Sequence, residues 1–165
     1  MRSQYKKYLM WALFGALFVL TVVVQTVVFG KPQFFGVKLS LIPVCVACVT
    51  MFCGAEDGAI YALACGTFWC FAGADGGALH IVLLTLCGAA AGYICDRLLI
   101  RRFLSSVLMS LMTLAVCQGL VFLFHCYLGQ ASLRAAGALP VQIGLSALSC
   151  PLFYLAARAI RKEGA

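Results

Sequence analysis

The 165 residues of the chain are 64% hydrophobic and only 10% charged, and the mean hydropathy is +1.05. A water-soluble domain of this length needs a charged surface. Twelve Lys and Arg with five Asp and Glu cannot cover one, so a soluble domain is excluded. The net charge of +7 does not indicate nucleic-acid binding, because the basic residues stand in short clusters between apolar runs and form no continuous stripe.

Six apolar runs follow one another along the chain, and they predict an all-α fold. Apolar runs of about 18 or more residues are typical of bilayer spans. We therefore predict a polytopic transmembrane helix bundle of about six spans in a single integral membrane domain, residues 1–165. The predicted spans, in chain order, are approximately 9–29, 39–53, 59–74, 78–94, 104–128 and 141–160.

The first half of the chain also carries signals for where helices begin and end. The first apolar run is longer than the hydrophobic segment of a signal peptide, so we predict that it is a retained span. Pro43 opens the second span, where a missing backbone N–H costs little. Residues 54–58 predict a tight polar turn, in which Asp57 is expected to cap the third helix.

Lysine and arginine are distributed unevenly between the two sides of this predicted topology. One side carries nine of them: Arg2, Lys6, Lys7, Arg97, Arg101, Arg102, Arg158, Arg161 and Lys162. The other side carries three: Lys31, Lys38 and Arg134. Because cytoplasmic connections carry an excess of Lys and Arg, we predict that the N- and C-termini are both cytoplasmic.

Ten cysteines in a chain of this length raise the question of metal or redox chemistry. Cys45 and Cys48 have a metal-like C-x-x-C spacing, but no second pair and no suitably spaced histidine accompany them. Nearly all ten lie within apolar runs, where a free cysteine packs as a small hydrophobe. We therefore interpret them as packing residues and expect no metal and no cofactor.

Few ionisable residues fall where catalysis or ion transport would need them. We expect Asp75 to be a solvated carboxylate in an outer turn, and His80 and His125 to lie at the membrane–water interface rather than in a proton relay. The sequence contains no serine nucleophile elbow, no buried acid–base pair and no phosphate-binding glycine loop. We therefore predict that the chain is not an enzyme, and the same absences argue almost as strongly against an ion-coupled transporter.

Small residues are concentrated between Gly54 and Gly92, which covers the third and fourth predicted spans. Gly88 and Gly92 have the G-x-x-x-G spacing that lets two membrane helices approach closely. Lipid offers no hydrophobic drive for helix association, so close backbone approach supplies much of the packing energy. We expect the third and fourth spans to form the tightly packed centre of the bundle.

The same segment resembles the bacterial rod shape-determining protein MreD family. The family tends to show a proline opening the second span, a Gly-rich turn, a helix of the form G-x-x-x-G-x-x-W-D, and a Leu-rich helix with spaced glycines. The residues that carry the resemblance are Pro43, Gly54, Gly58, Gly66, Trp69, Cys70, Gly77, Gly88, Gly92 and Pro151. Cys70 replaces the acidic residue common in the family, and Ala62 replaces the first glycine of the helix motif.

The resemblance implies a non-enzymatic subunit of the cell-elongation machinery in the bacterial cytoplasmic membrane. Members of the family associate with MreC. Through MreC they help to couple MreB filaments to RodA and the transpeptidase of side-wall peptidoglycan synthesis. We therefore expect these proteins and the lipid bilayer as partners, and no nucleic acid.

The alternative is the substrate-binding S-component of an energy-coupling-factor vitamin transporter, which also has six spans, cytoplasmic ends and many small residues. Such a subunit needs polar or aromatic side chains that converge in an outward pocket. The candidates are Trp69, His80, His125 and Tyr127. The outer connections are poor in hydrogen-bond acceptors, and Ala12 and Ala16 give only one alanine-x-x-x-alanine contact for a coupling subunit. The sequence favours the MreD-like function.

Overall fold

A computed structural model describes residues 2–27, 39–71, 77–97, 103–129 and 137–164. Regular structure in these ranges is entirely helical, so the predicted all-α bundle is confirmed. The helices are α1 (Arg2–Val27), α2 (Ile42–Cys53), α3 (Ala55–Phe71), α4 (Gly77–Arg97), α5 (Phe103–Tyr127), α6 (Ala138–Ala147) and α7 (Cys150–Gly164). Lys31, Lys38, Asp75, Arg101, Arg102 and Arg134 lie outside the described residues.

Four helical segments of the described chain are long and apolar enough to cross a bilayer, which identifies a membrane protein. They are Tyr5–Val27, Ala78–Arg97, Phe103–Tyr127 and Ala138–Lys162. With 12 and 17 residues, α2 and α3 are shorter. At about 1.5 Å per residue, α2 is roughly 18 Å long, against a hydrocarbon core of about 30 Å. The count of six spans stays a prediction.

The first three helices alternate in direction around α2. Gln25, near the end of α1, hydrogen-bonds to the start of α2. Gly54 alone separates α2 from α3 and turns the chain back. We call these two levels of the bundle the Gln25 end and the Gly54 end.

The later helices continue this alternation. Gly92, near the end of α4, lies against Gly54. The α6–α7 segment runs parallel to α2, because Ser146 contacts Ser40 at the Gln25 end and Arg161 contacts Phe52 at the Gly54 end. The start of α1 and the end of α7 therefore lie at the same end of the bundle. That this end faces the cytoplasm stays a prediction.

The short helix α2, not the α3–α4 pair, occupies the centre of the bundle. Every residue from Ile42 to Phe52 is buried, and α1, α3, α4, α5 and α7 all pack against it. By contrast, α3 and α4 expose large apolar side chains on their outer faces, including Phe71 and Val82. The prediction that the third and fourth spans form the centre is therefore wrong in this respect. The reason is that α2 carries no charged residue and is short enough to be surrounded.

Polar side chains from other helices cap α2 at the Gln25 end. The first N–H groups of a helix have no partner within the helix, and leaving them bare inside a membrane protein is costly. The Gln25 Oε1 accepts hydrogen bonds from the backbone N–H groups of Leu41 and Ile42, at 3.0 and 3.1 Å. The Ser146 Oγ accepts one from the N–H of Ser40, at 3.1 Å. These contacts allow α2 to begin inside the protein.

The final predicted span is interrupted. Leu148 and Ser149 form a turn between α6 and α7, and Pro151 is the second residue of α7. Proline has no N–H to donate to the carbonyl of Ala147 four residues earlier, so an unbroken α-helical ladder is impossible here. Ser149 instead donates its backbone N–H to the Ser146 carbonyl at 3.1 Å. The break was not predicted from the sequence.

Candidate helix-packing site

Five of the glycines that the sequence singled out lie where α2, α3 and α4 pack together. Among the described helices, α3 and α4 form the most extensive pair, and they run antiparallel. The small residues along their contact form what we call the seam. Its members are Gly54, Gly58, Ala62, Gly66, Gly88 and Gly92.

At the Gly54 end, the seam brings backbone against backbone. A Cβ atom placed on Gly92 would lie 2.5 Å from the carbonyl oxygen of Gly54 and 2.8 Å from the Cα of Ala55. Neither atom belongs to a side chain that could rotate away. Gly54 itself has a φ of 94°, in the left-handed region that favours glycine, so the reversal between α2 and α3 also requires this residue type.

Gly88 occupies the junction of three helices. A Cβ on this residue would lie 2.5 Å from the Cβ of Ala62 on α3 and 3.3 Å from the Thr50 Cγ2 on α2. Gly58, on the adjoining face of α3, would place a Cβ 3.0 Å from the Cβ of Thr50. Ala62 therefore fills the space opposite Gly88. The space between positions 62 and 88 holds one methyl group, that of Ala62, and has no room for a second on residue 88.

Gly66 extends the seam toward the other end of the bundle. A Cβ on Gly66 would lie 3.1 Å from the Cα of Ile81 on α4. Glycines elsewhere in the described chain differ sharply: Gly15, Gly119 and Gly144 would meet nothing within 4 Å. The close approach is therefore specific to the seam and is not a general property of glycines in this bundle.

Two charged side chains stabilise the turn at Gly54. The Arg161 Nη1 donates a hydrogen bond to the Phe52 carbonyl at 2.8 Å, at the C-terminus of α2. The Asp96 Oδ2 accepts one from the Ala55 N–H at 3.3 Å, at the N-terminus of α3. A cation at a helix C-terminus and an anion at an N-terminus both complement the helix dipole. The seam is thus closed at this end by residues from α4 and α7.

The prediction of a turn over residues 54–58 that Asp57 caps is wrong. The turn is the single residue Gly54, and α3 begins at Ala55, so Glu56 and Asp57 lie in the first helical turn. Asp57 is therefore not the cap, although its charge still suits that end of the helix. The cap comes from Asp96, 41 residues away from Ala55 in sequence. A local pattern could not predict this long-range partner.

Trp69 and His80 lie together at the opposite end of the α3–α4 pair. Their ring centroids are 4.7 Å apart, at an angle of 65°. His80 is in the first turns of α4 and is buried against the tryptophan, and its predicted depth at the membrane interface stays a prediction. His125 lies near the end of α5, half-buried, with Nδ1 2.8 Å from the Val121 carbonyl oxygen. Tyr127 is exposed.

The remaining motif residues are spread around the bundle. Pro43 is buried in the first turn of α2, and Gly77 is the first residue of α4. Cys70 is half-buried near the end of α3, next to Trp69. Pro151 lies on an exposed face of α7 at the break. Their assignment as a family motif stays a prediction.

The cysteines include a cluster that the sequence did not indicate. The Cys48 Sγ on α2 lies 3.3 Å from the Ser106 Oγ on α5 and 3.9 Å from the Cys150 Sγ on α7. Ser110, one turn after Ser106, lies 3.5 Å from the same Cys150 sulfur. These four side chains hydrogen-bond to one another in a buried site. They give α2, α5 and α7 a polar contact inside an apolar core.

A second pair of thiols joins α4 to α5: the Sγ atoms of Cys87 and Cys117 are 3.8 Å apart. All ten cysteines are free thiols. Within the described ranges, no three or more His, Cys, Asp or Glu side chains come together in a group that could hold a metal ion. The arrangement of the thiols is that of packing residues with weak hydrogen bonds.

Sequence reasoning missed Gln25, Ser146, Asp96, Arg161 and the two serines of α5 as structural residues. Some signals were present. Gln25 is a single amide near the end of an otherwise apolar run, and Ser106 and Ser110 share a helix face through their i, i+4 spacing. Their partners lie between 16 and 109 residues away in sequence, so the pairing itself was not readable.

Comparison with models of known protein families, with curated proteins and with solved structures finds no match to this chain.

Proposed function

We propose that this chain is a non-enzymatic membrane subunit of the bacterial cell-elongation machinery, similar to MreD. The observation that carries the proposal is the seam. Gly58, Gly66, Gly88 and Gly92 belong to the segment that resembles MreD, and they are the glycines at which α2, α3 and α4 approach most closely. The resembling residues thus coincide with the residues on which the shape of the bundle depends.

Such a subunit would act through its shape. Its partner MreC needs a membrane surface of constant form, and a seam of backbone contacts holds α3 and α4 in one register. Overpacking a well-packed contact costs about 1–3 kcal/mol, so the register cannot drift without a penalty. Through MreC, the bundle would position MreB filaments relative to RodA and the elongation transpeptidase.

The charges at the Gly54 end fit a location in the bacterial cytoplasmic membrane with this end inside. Arg97 lies over the ring of Tyr93, 5.9 Å from its centroid, and Arg158 and Lys162 are exposed near the end of α7. Arg161 already donates a hydrogen bond to the Phe52 carbonyl through its Nη1. The exposed cations suit contact with anionic lipid headgroups or with acidic partner segments on the cytoplasmic side.

The vitamin-transporter alternative depends on a polar outward pocket. Trp69 and His80 do lie together, and they would be the first candidates to contact a small ligand. Their rings, however, are packed against each other, and His80 is buried. Opening a pocket there would require the two rings to separate. We therefore retain this function as an outcome of the test below.

The test is co-purification with MreC, combined with cell shape in a rod-shaped host that depends on this protein. Gly88→Leu is expected to reduce MreC capture and to give rounded cells, because its side chain would force α4 away from Ala62 and Thr50. Gly119→Leu is the matched control, since a Cβ at Gly119 meets nothing within 4 Å. Both variants are compared at equal levels in the membrane.

Normal MreC capture and normal rods with Gly88→Leu would contradict the role of the seam. If the parent protein fails to capture MreC at all, the assignment to the elongation machinery is wrong. Co-purification with a pair of ATPases and vitamin uptake by the host would instead establish the transporter function.

A further inference from the structure

A groove of about 520 Å³ lies between α1 and the interrupted α6–α7 segment. Its walls come from residues 17–24 of α1, from Leu39 and Leu41 just before α2, and from residues 145–156 on both sides of the break. The floor is buried: Thr21 and Leu41 are only 3% and 5% exposed. The rim is open, since Leu148 and Leu152 are 74% and 75% exposed. The groove therefore has the form of a cleft that opens sideways.

The break in the last span shapes one wall of this groove. Leu148 and Ser149 form the turn between α6 and α7, and both line the groove. A continuous helix would place a regular ridge of side chains along α1. The turn at Leu148 and Ser149 interrupts this ridge, and space remains between the wall and α1.

The chemistry of the lining is that of hydrocarbon. Seven of the twelve lining residues are leucine, and none is charged. The two hydroxyl groups already donate within their own segments: Thr21 to the Leu17 carbonyl at 2.7 Å, and Ser149 to the Ser146 carbonyl at 2.6 Å. A polar ligand would lose its hydrogen bonds to water here and gain few in return.

A second transmembrane helix does not suit this groove. Helix pairs in membranes pack through small residues that let the backbones approach, as the seam does. The groove offers leucines, whose branched side chains hold a neighbouring backbone at a distance. A helix is also about 10–12 Å wide with its side chains, whereas the groove has the volume of a site for one small ligand, typically about 300–1,000 Å³.

We propose that this groove binds one acyl chain of a membrane lipid and retains it against exchange with the surrounding bilayer. A thin, flexible chain can lie along the groove past Leu148 and Ser149 and contact Thr21 and Leu41 at the floor. An unfilled groove would leave these lining atoms without dispersion contacts. The inference depends on the membrane location of the chain and not on the proposed partnership with MreC.

The experiment uses the full chain in vesicles of phosphatidylethanolamine and phosphatidylglycerol that contain a trace of phosphatidylethanolamine with a photoreactive diazirine in its acyl chain. After illumination, crosslinked peptides are mapped. Labelling near Leu20 and Leu148 is compared with labelling near Val82 and Leu104, which are similarly exposed but do not line the groove. We expect about tenfold stronger labelling in the groove, which corresponds to a preference of about 1.4 kcal/mol.

A pair of variants controls for exposure and folding. Leu152→Trp places a bulky ring at the open rim of the groove and is expected to reduce labelling near Leu20 and Leu148 to the level of the outer face. Leu104→Trp, at an equally exposed position on α5, is expected to leave groove labelling unchanged. Both variants must elute like the parent protein on size exclusion, which is expected because both positions are exposed.

Labelling in proportion to exposure, with no difference between the groove and the outer face, would overturn the proposal and leave only ordinary boundary lipid. So would groove labelling that Leu152→Trp does not reduce. A photoreactive amino acid at position 20 or 148 that crosslinks in cells to a protein chain rather than to lipid would show that a partner helix occupies the groove.

Discussion

The two sides of α2 are packed on opposite principles. On one side, α3 and α4 meet through glycine and alanine, and added Cβ atoms would strike backbone at Gly92. On the other side, α1 and α6–α7 meet around a groove lined mainly by leucine. Apolar residues predominate on both sides. In a membrane, therefore, the size of the side chains decides whether two helices close against each other or leave space.

The difference should be visible in how each side responds to substitution. The seam is rigid because its contacts involve backbone atoms, so a larger side chain there has no space to occupy. The groove is open at its rim, so a larger side chain there can turn outward.

Enlarging a seam residue should have the largest effect. Gly92→Leu would place its side chain against the Gly54 carbonyl and Ala55, and we expect a loss of at least about 1–3 kcal/mol of stability, the usual cost of overpacking. Thermal unfolding in detergent measures it, with Gly144→Leu as the control, because a Cβ at Gly144 meets nothing within 4 Å. Equal melting temperatures for the two variants would contradict the rigid seam.

Removing the cap of α2 should come next. Gln25→Ala would leave the N–H groups of Leu41 and Ile42 without their acceptor, and unsatisfied buried donors cost about 1–3 kcal/mol. Thr26→Ala is the control: its hydroxyl bonds only within α1, to Val22 and Val23. Hydrogen exchange followed by mass spectrometry should show faster exchange in the first turn of α2 for Gln25→Ala alone. Unchanged protection there would mean that water or another group replaces the glutamine.

The turn at Gly54 should be less sensitive. Arg161→Ala removes a charge-assisted hydrogen bond to the Phe52 carbonyl, but the arginine is only half-buried. We expect a loss of about 1 kcal/mol, below the range of about 1.5–3 kcal/mol for fully buried bonds to charged groups. Arg158→Ala, one turn earlier and exposed, removes the same charge and should have no measurable effect. A similar loss in both variants would point to net charge rather than to this contact.

The cysteines should matter least for function. Replacing Cys45 and Cys48 together with alanine removes two buried thiols, at about 1 kcal/mol or less for each. Bound metal and MreC capture should not change. Elemental analysis of the purified parent and double variant provides the measurement. A stoichiometric metal that is present in the parent and lost in the variant would overturn the assignment of these residues to packing.

Much of the architecture was readable from the sequence because it follows from local composition. The apolar runs predicted the helices, and the prediction of an all-α bundle is confirmed. The glycine spacing at Gly88 and Gly92 directed attention to the contact between α3 and α4. These signals are local, since an α-helix satisfies its own backbone and a glycine permits close approach wherever it occurs.

Three features were decided only by the tertiary structure. Which helix is central depends on how six segments surround one another, and α2 took that place. The caps by Gln25 and Asp96 join residues 16 to 41 positions apart, and the side chain that reaches a helix end depends on the packing of whole helices. The groove lies where α1 and the interrupted α6–α7 segment pack around leucine side chains. Sequence by itself determined that the chain forms apolar helices and where small residues permit close contact. Only the packing of those helices determined which backbone ends needed partners and where space remained, because both depend on distances between segments that are far apart in the chain.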